Sequence, residues 1–407
     1  MSQIEKLRAL LAELTPGNRF YTKRLAAEGV HPGEIQSLED FSSRVGFTHK
    51  QDLVLDQAAH PPYGTNHTYA MERYTRFCQT SGTTARPLVI LDTPESWEWM
   101  LGNWGEIYRA AGLTPGDRIY FAFSFGPFLG FWTAFDAAAR GGYLGIPGGG
   151  LGSAARVRAM IQHQATVLCC TPTYALHLAQ AAVDEGIDLK ECAVKTIIVA
   201  GETGGSVPEV RLRIEQAWHG SHVIDHYGMT EVGPVAYQTP ERRDLLHILE
   251  NSYYAEIIQP ETGQAAVPGE VGELVLTTLG RTASPLLRYR TGDLVCRAPY
   301  VPGFALARGI VGRADDMIVV RGVNLYPSAV EAAVRQVPGI DEYRVIIGRR
   351  GSMLEVELQI ESTDDTAVAR LERALTAAFS LRIPVSRVPA HSLPRFELKA
   401  RRWVKES

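Results

Sequence analysis

The sequence predicts an α/β protein in two parts. A large domain over residues 1–312 is built from βαβ units with a β-rich piece, and a small α+β domain covers residues 313–407. Three observations lead there. From Phe77 to about Ala200, short apolar runs alternate with helical periods, the pattern of right-handed βαβ units and a largely parallel sheet. Across residues 253–297, two apolar runs are separated by turn residues, which predicts an antiparallel piece. Beyond Gly312 the charge balance shifts: residues 313–407 hold 15 basic and 13 acidic side chains, although the whole chain carries a net charge of −4.

Taken in order, residues 1–60 read as short helices with polar joints, punctuated by Pro16-Gly17 and Pro32-Gly33. Strands follow at Leu88-Val89-Ile90-Leu91, Ile119-Tyr120-Phe121-Ala122, Thr166-Val167-Leu168-Cys169-Cys170 and Thr196-Ile197-Ile198-Val199-Ala200. Helical patterns occupy 96–111, 153–164, 174–185 and 208–220. The antiparallel pair is Tyr254-Ala255-Glu256-Ile257-Ile258 with Glu273-Leu274-Val275-Leu276-Thr277-Thr278. The small domain reads strand 317–320, helix 328–336, strands 343–348 and 353–360, helix 364–380 and strand 385–390. From Met353 to Ile360 apolar and polar residues alternate, so that strand is predicted to have one wet face.

A chain of 407 residues with 45% hydrophobic and 21% charged residues is ordinary for a globular protein and excludes global disorder. Its mildly acidic balance argues against nucleic acid or an anionic membrane as partner. The five cysteines (Cys78, Cys169, Cys170, Cys192, Cys296) are odd in number and include no CxxC pair, which fits reduced thiols. The first residues lack the apolar stretch of a secretion signal, so a cytoplasmic location is expected. Residues 119–139 carry one charge, Asp136, but Gly126, Pro127 and Gly130 would break a membrane helix in its middle. That stretch also gathers 8 of the 35 aromatic residues. It reads as a buried strand, a Gly-Pro turn and an apolar helix, with one side open to an aromatic ligand.

Four motifs carry chemistry. Thr80-Ser81-Gly82-Thr83-Thr84-Ala85-Arg86-Pro87 sets hydroxyls and a glycine beside an arginine, a loop able to face phosphate; the alternative is a Ser/Thr-rich turn. No Walker motif is present. Asp225-His226-Tyr227-Gly228-Met229-Thr230-Glu231 offers an aromatic face for a purine, a glycine for close approach, and Thr230 and Glu231 for phosphate and magnesium. A hydrogen-bonded structural imidazole at His226 and a solvated charge at Glu231 are the other readings. Arg288-Tyr289-Arg290-Thr291-Gly292-Asp293 places a carboxylate after a glycine turn, suited to ribose hydroxyls. The tail Pro394-Arg395-Phe396-Glu397-Leu398-Lys399-Ala400-Arg401-Arg402 is basic, and alone reads as a solvated segment.

In this order and spacing the motifs resemble those of the acyl-adenylate-forming superfamily, most closely the phenylacetate–CoA ligase family, and the resemblance covers nearly the whole chain. It implies activation of an aryl carboxylic acid by ATP to acyl-AMP, then transfer to the thiol of coenzyme A, with Mg2+ as cofactor. Residues 1–312 would bind ATP and acid, and residues 313–407 would form a mobile lid. By the resemblance, Thr80, Ser81, Gly82, Thr83, Thr84 and Arg86 would wrap the β- and γ-phosphates. Gly201, Glu202 and Thr203 would lie along adenine and substrate, with Asp225, His226, Tyr227, Gly228 and Met229 around the adenine. Thr230 would meet the α-phosphate, Glu231 the magnesium, and Asp293 and Arg313 the ribose. Lys399 would bridge the substrate carboxylate and the α-phosphate as a compact cation. Asp315 would be the hinge, bringing Arg321 and Gly322 toward a pantetheine tunnel after rotation.

The acyl pocket is expected from Phe125, Gly126, Pro127, Phe128, Phe131, Trp132 and Tyr174, whose rings suit a benzoate or phenylacetate type of acid, though some of them would simply fill the core. Two departures stand out: Ala85-Arg86 where the family has Gly-Lys, and Leu398 where it commonly has glycine. Cys296 stands alone, so no structural zinc is expected. The chain ends eight residues after Lys399, which predicts no fused carrier domain. An amine, hydroxyl or separate carrier protein as acceptor, and a non-catalytic nucleotide-binding relative, are the competing readings. A homodimer is expected from the family alone.

Overall fold

One mixed sheet of eleven strands organises a computed structural model of the chain, which describes residues 1–407 except Pro16, 81–86, Met317, Gly322, 351–352, 397–400 and 406–407. In spatial order the strands are Tyr253–Ile258, Val271–Thr278, Tyr289–Arg297, Ala305–Arg313, Arg242–Ile248, Gly233–Thr239, His222–Met229, Thr196–Val199, Val167–Cys170, Arg118–Phe121 and Leu144–Pro147. The last five pair in parallel, and the rest of the sheet is antiparallel. Each strand expected in the wound region is present within one or two residues. Between them the helices Pro94–Ala110 and Pro172–Asp184 start where Thr93 and Thr171 accept an amide proton and a proline fills the first turn.

The parallel strands are buried on both sides, so their residues divide by period two. Ile119, Phe121, Val167, Cys169, Ile198 and Ile224 enter one core, while Tyr120, Leu168, Cys170, Ile197, Val199 and Val223 enter another. Two segments read as loops from sequence are strand instead. Asp225 to Met229 continue His222–Met229, and the glycine turn before Asp293 is a bulge within Tyr289–Arg297. Gly292 has φ +77° there, and a Cβ on it would stand 2.7 Å from Nη2 of Arg313.

Residues beyond Arg313 have a core of their own, in which Val356, Leu358 and Ile360 of Met353–Ser362 are buried, as the alternation predicted. Its sheet runs Val385–Val388, Met353–Ser362, Ile340–Arg350, Trp403–Lys405, the outer strands pairing in parallel. The short strand Trp403–Lys405 follows the 397–400 segment and gave no periodic signal in the sequence. Among the described residues no helix is long and apolar enough to cross a membrane.

Candidate active site

The strand His222–Met229 is where the sheet changes direction, parallel to Thr196–Val199 on one side and antiparallel to Gly233–Thr239 on the other. Ligands of wound sheets bind beyond the carboxyl ends of strands at such a reversal. The strand's end delivers Tyr227 to Met229, and the turn that follows carries Thr230 and Glu231. Gly228 must be glycine, because a Cβ would lie 2.8 Å from the Gly233 carbonyl oxygen across a register shift.

Tyr227 Oη donates to Asp293 Oδ2 at 2.6 Å, and Arg313 Nη1 donates to Asp293 Oδ1 at 3.1 Å. Burial, reinforced by the Asp293 carboxylate, holds the Tyr227 phenol far above its ordinary value, so it stays a donor. Arg313 also reaches Asp315 through Nε at 2.8 Å, joining the ribose candidates to the expected hinge, which is exposed. Met229 Sδ lies 3.6 Å from the same phenol.

Glu231 is buried, and its Oε1 meets Lys50 Nζ at 3.0 Å. Lys50 opens the helix Lys50–Ala59, and that helix is brought here by Thr48, whose backbone exchanges two 3.0 Å hydrogen bonds with Arg288 and Arg290. The Thr230 hydroxyl accepts from the Leu129 amide at 3.4 Å, linking this turn to the aromatic segment. Beneath it, fully buried Arg281 donates to the carbonyls of Thr230 and Glu231. Neither Lys50 nor Arg281 belongs to a motif, and each is far in sequence from what it touches.

Four expected ligands are turned elsewhere. Asp225 is buried with its carboxylate accepting from the Ser206 hydroxyl, and burial raises it to about 7. A Cβ on Gly205 would collide with that carboxylate, so the glycine makes room for it. His226 faces the opposite core, its ring 4.4 Å from that of Trp104 and tilted against it by 53°, with Nδ1–H donating to the Ala236 carbonyl at 2.8 Å. Burial lowers it to about 4, so the imidazole is neutral, matching the structural reading. Tyr174 has no exposed surface and packs in the core opposite the phenylalanines, its hydroxyl held by Arg156 and by Ser153 at 3.0 Å. It does not line a pocket with them. Thr80 is buried too, its hydroxyl accepting from Leu88 N at 3.1 Å.

The aromatic segment does gather into a cluster. Phe123 meets Phe125, Phe128 and Phe131 edge-on at 5.2–5.6 Å, and Phe125 meets Trp132 at 4.8 Å. Phe131 is buried core, whereas Phe125, Gly126, Phe128 and Trp132 are partly exposed and Pro127 is exposed. Trp132 Nε1 donates to the Gly126 carbonyl at 2.9 Å, which shapes the turn. Gly130, at φ +43°, packs so tightly that a Cβ would stand 1.9 Å from Phe123.

On the neighbouring strand end, Glu202 Oε1 accepts from the Thr173 amide at 2.8 Å, Gly201 is exposed at φ +93°, and Thr203 is half-buried. Arg321 sits at the tip of the hairpin formed by Ile318–Val320 and Val323–Leu325, paired with Glu355 at 2.8 Å. Lys399, Ser81, Gly82, Thr83, Thr84, Arg86 and Gly322 lie outside the described residues.

Comparison with known proteins extends the picture. Residues 43–281 match the AMP-binding enzyme family and residues 322–406 match the AMP-binding enzyme C-terminal domain. The phenylacetate-coenzyme A ligase of Pseudomonas putida is 34% identical over 88% of this chain and 81% of its own length. That of Escherichia coli K12 is 31% identical over 98% of this chain and 92% of its own. A crystal structure of 2-hydroxyisobutyryl-CoA ligase in the postadenylation state, in complex with R3-HIB-AMP, superposes with TM-score 0.94 at 29% identity, covering 99% of this chain and 89% of that one. The same ligase in the thioesterification state, with 2-HIB-AMP and CoA, superposes with TM-score 0.75 at 30% identity, again over 99% and 89%.

Proposed function

This chain belongs to the AMP-binding enzyme family, close to the phenylacetate–CoA ligases, and we propose that it converts an aryl carboxylic acid to an aryl-CoA thioester. ATP activates the acid to acyl-AMP with release of pyrophosphate, and the acyl group then passes to the thiol of coenzyme A. The observation that carries this reading is the convergence of Tyr227, Thr230, Glu231, Asp293 and Arg313 on the reversal point of the sheet, beside an aromatic cluster tied to the same turn.

In this reading Asp293, oriented from two sides by Tyr227 and Arg313, accepts the ribose hydroxyls. The Thr230 hydroxyl faces the α-phosphate, and residues 81–86 take the outer phosphates. Gly201 to Thr203 line the adenine and acid, with Asp225 and His226 supporting the wall from inside. Phe125, Gly126, Pro127, Phe128 and Trp132 present rings and backbone to a flat acyl group, with Phe131 behind them. Lys399 places its ammonium between the acid's carboxylate and the α-phosphorus, offsetting charge that gathers as pyrophosphate leaves.

Glu231 fits magnesium. It is a buried carboxylate that already faces a cation, the Lys50 ammonium, and one carboxylate suffices where phosphate oxygens and water complete the shell. No group of three or more acidic, His or Cys ligands occurs among the described residues, which suits a cation carried mainly by nucleotide. When bound, magnesium screens the triphosphate's charge.

We place the boundary of the lid at residues 312–313, with Asp315 as hinge. The higher superposition on the postadenylation form, 0.94 against 0.75, supports reading this conformation as the adenylation side of the cycle. Rotation would break the Arg402–Thr173 and Gln336–Glu209 hydrogen bonds and carry Arg321 and Gly322 toward the thiol. A homodimer in the cytoplasm completes the proposal. The five cysteines are unpaired thiols, which suits a reducing compartment, and sedimentation would report the assembly.

The test is pyrophosphate release over a panel of aryl acids, with and without coenzyme A, in the wild type and Lys399→Ala. Acid-dependent release with a thioester product supports the proposal. Release with no thioester points to an amine, hydroxyl or carrier acceptor, and silence points to a non-catalytic relative. Lys399→Ala is expected to abolish release yet still form thioester from supplied acyl-AMP; survival of both half-reactions refutes the role of Lys399.

A further inference from the structure

Arg281 and Asp92 form an ion pair with 0% exposure on both side chains. Nε of Arg281 donates to Asp92 Oδ1 at 2.8 Å and Nη2 to Oδ2 at 2.6 Å, a bidentate fork. The third nitrogen points away from the carboxylate: Nη1 donates to the carbonyl oxygens of Thr230 at 3.1 Å and Glu231 at 2.8 Å. A buried pair contributes little to stability, because the desolvation of both charges offsets their attraction. What the pair connects is therefore the informative part.

Asp92 ends the strand Val89–Asp92. That strand pairs with Arg76–Gln79 in a two-stranded sheet separate from the eleven-stranded one, so no ladder registers it against the turn after His222–Met229. Arg281 bridges this gap, with its carboxylate partner on one segment and its carbonyl partners on the other. A lysine has no planar fork and cannot serve the carboxylate and both carbonyls at once.

We propose that Arg281, held by Asp92, is a positioning residue that fixes the Thr230–Glu231 main chain relative to the strand Val89–Asp92, holding the nucleotide-facing turn in one geometry. This rests on the nucleotide roles proposed for Thr230 and Glu231.

Two variants test it. Arg281→Lys keeps a cation for Asp92, and the double variant Arg281→Met/Asp92→Leu removes both charges at similar volume. The measurements are magnesium–ATP binding by calorimetry without acid, acid-dependent pyrophosphate release, thioester formation from supplied acyl-AMP, and melting temperature. Both variants are expected to bind magnesium–ATP roughly tenfold more weakly, as loss of charge-assisted hydrogen bonds that fix a site implies. Pyrophosphate release should slow about 100-fold, the scale of an ångström's misplacement. Thioester formation from acyl-AMP should stay within about threefold, so the loss is confined to one half-reaction. The double variant should melt close to the wild type.

Unchanged magnesium–ATP binding in Arg281→Lys, or an equal fall in both half-reactions, overturns the proposal and leaves the pair a purely structural one. Should the double variant not fold, Arg281→Lys decides by the same ratio. A wild type that binds magnesium–ATP but releases no pyrophosphate defeats the ligase reading instead, and the calorimetric comparison still decides the role of Arg281.

Discussion

Tyr227→Phe removes one oxygen from the site and nothing else. In the wild type that oxygen is a donor 2.6 Å from Asp293 Oδ2, and burial with the neighbouring carboxylate keeps its proton in place at any ordinary pH. A hydrogen bond to a charged group contributes about 1.5–3 kcal/mol net. Asp293 keeps Arg313 at 3.1 Å, and Phe fills the same ring volume, so the lower end of that range applies. About 1.5 kcal/mol lost from the orientation of the ribose acceptor corresponds to roughly tenfold in ATP affinity. Steady-state kinetics with ATP varied at saturating acid should show KM for ATP up by about that factor, with KM for the acid unmoved. Because the phenol does not ionise, the ratio of variant to wild type should be the same at pH 6 and pH 9. An ATP KM within twofold of wild type would refute the placement of Asp293 at the ribose, and a larger change in the acid's KM would move it to the acyl pocket.

Gly130→Ala drives a methyl to within 1.9 Å of Phe123 at φ +43°, so the aromatic cluster must open; stability should fall by about 1–3 kcal/mol, with KM for the acid rising more than KM for ATP. Lys50→Met leaves the buried Glu231 without its cation, so melting should occur at a lower temperature without nucleotide, and magnesium–ATP should raise it by more than in the wild type. The neighbours Asp225 and His226 should give opposite pH slopes. Asp225, raised by burial to about 7, carries stability that is full below its unfolded value of 3.8 and fades as pH rises through 7. His226, lowered by burial to about 4, carries stability that is full above its unfolded value of 6.5 and fades as pH falls through 4. Melting curves from pH 4 to 8 should show Asp225→Asn gaining on wild type as pH rises, and His226→Gln losing ground over the same interval. Parallel curves for either variant would contradict the burial that sets the shift.

The parallel strands were legible because both of their faces are buried, and a run such as Thr196 to Val199 has no other reading beside helices of the right length. Asp225 and His226 were misread for a related reason. As members of a motif they looked free to meet a ligand, but both lie inside a strand that runs on to Met229. Its alternation then sends His226 to the side of Ile224 and Trp104, and Asp225 to the side of Val223. Tyr174 was misplaced for a different reason: it lies on a helix, as expected, but that helix covers the face opposite the phenylalanines. Lys50 and Arg281 left no trace in the sequence because their partners are set by tertiary register. A bridge from Thr48 to the strand of Tyr289 delivers Lys50, and Arg281 stands in a stretch with no motif.

The charged pairs around the proposed nucleotide site differ in exposure from the contacts that hold residues 313–407. Around the proposed nucleotide site, Arg281–Asp92 fixes the carbonyls of Thr230 and Glu231. Arg290 pairs with Glu273, whose other oxygen accepts from Gly292 N at 3.1 Å beside Asp293. Arg288 pairs with Glu256 at 2.8 Å and reaches the Val45 carbonyl, near the helix that brings Lys50. Each pair is buried or nearly so, and the first two end on main-chain groups at or next to proposed ligand residues. Buried ion pairs are poor contributors to net stability but resist displacement, because removing one partner strands the other charge. Against residues 313–407 the ion pair Arg213–Asp341 is long, at 4.0 Å, and partly exposed. The hydrogen bonds are Arg402 to the Thr173 hydroxyl at 3.4 Å, Gln336 to Glu209 at 3.2 Å, and Arg213 to the Ile340 carbonyl at 2.6 Å. These are separate hydrogen bonds whose groups can turn to water when parted, at about 0.5–1.5 kcal/mol each, or somewhat more where a charge takes part. A site braced in that way would stay formed while the proposed lid turns, so that ATP meets one fixed geometry each time adenylation begins.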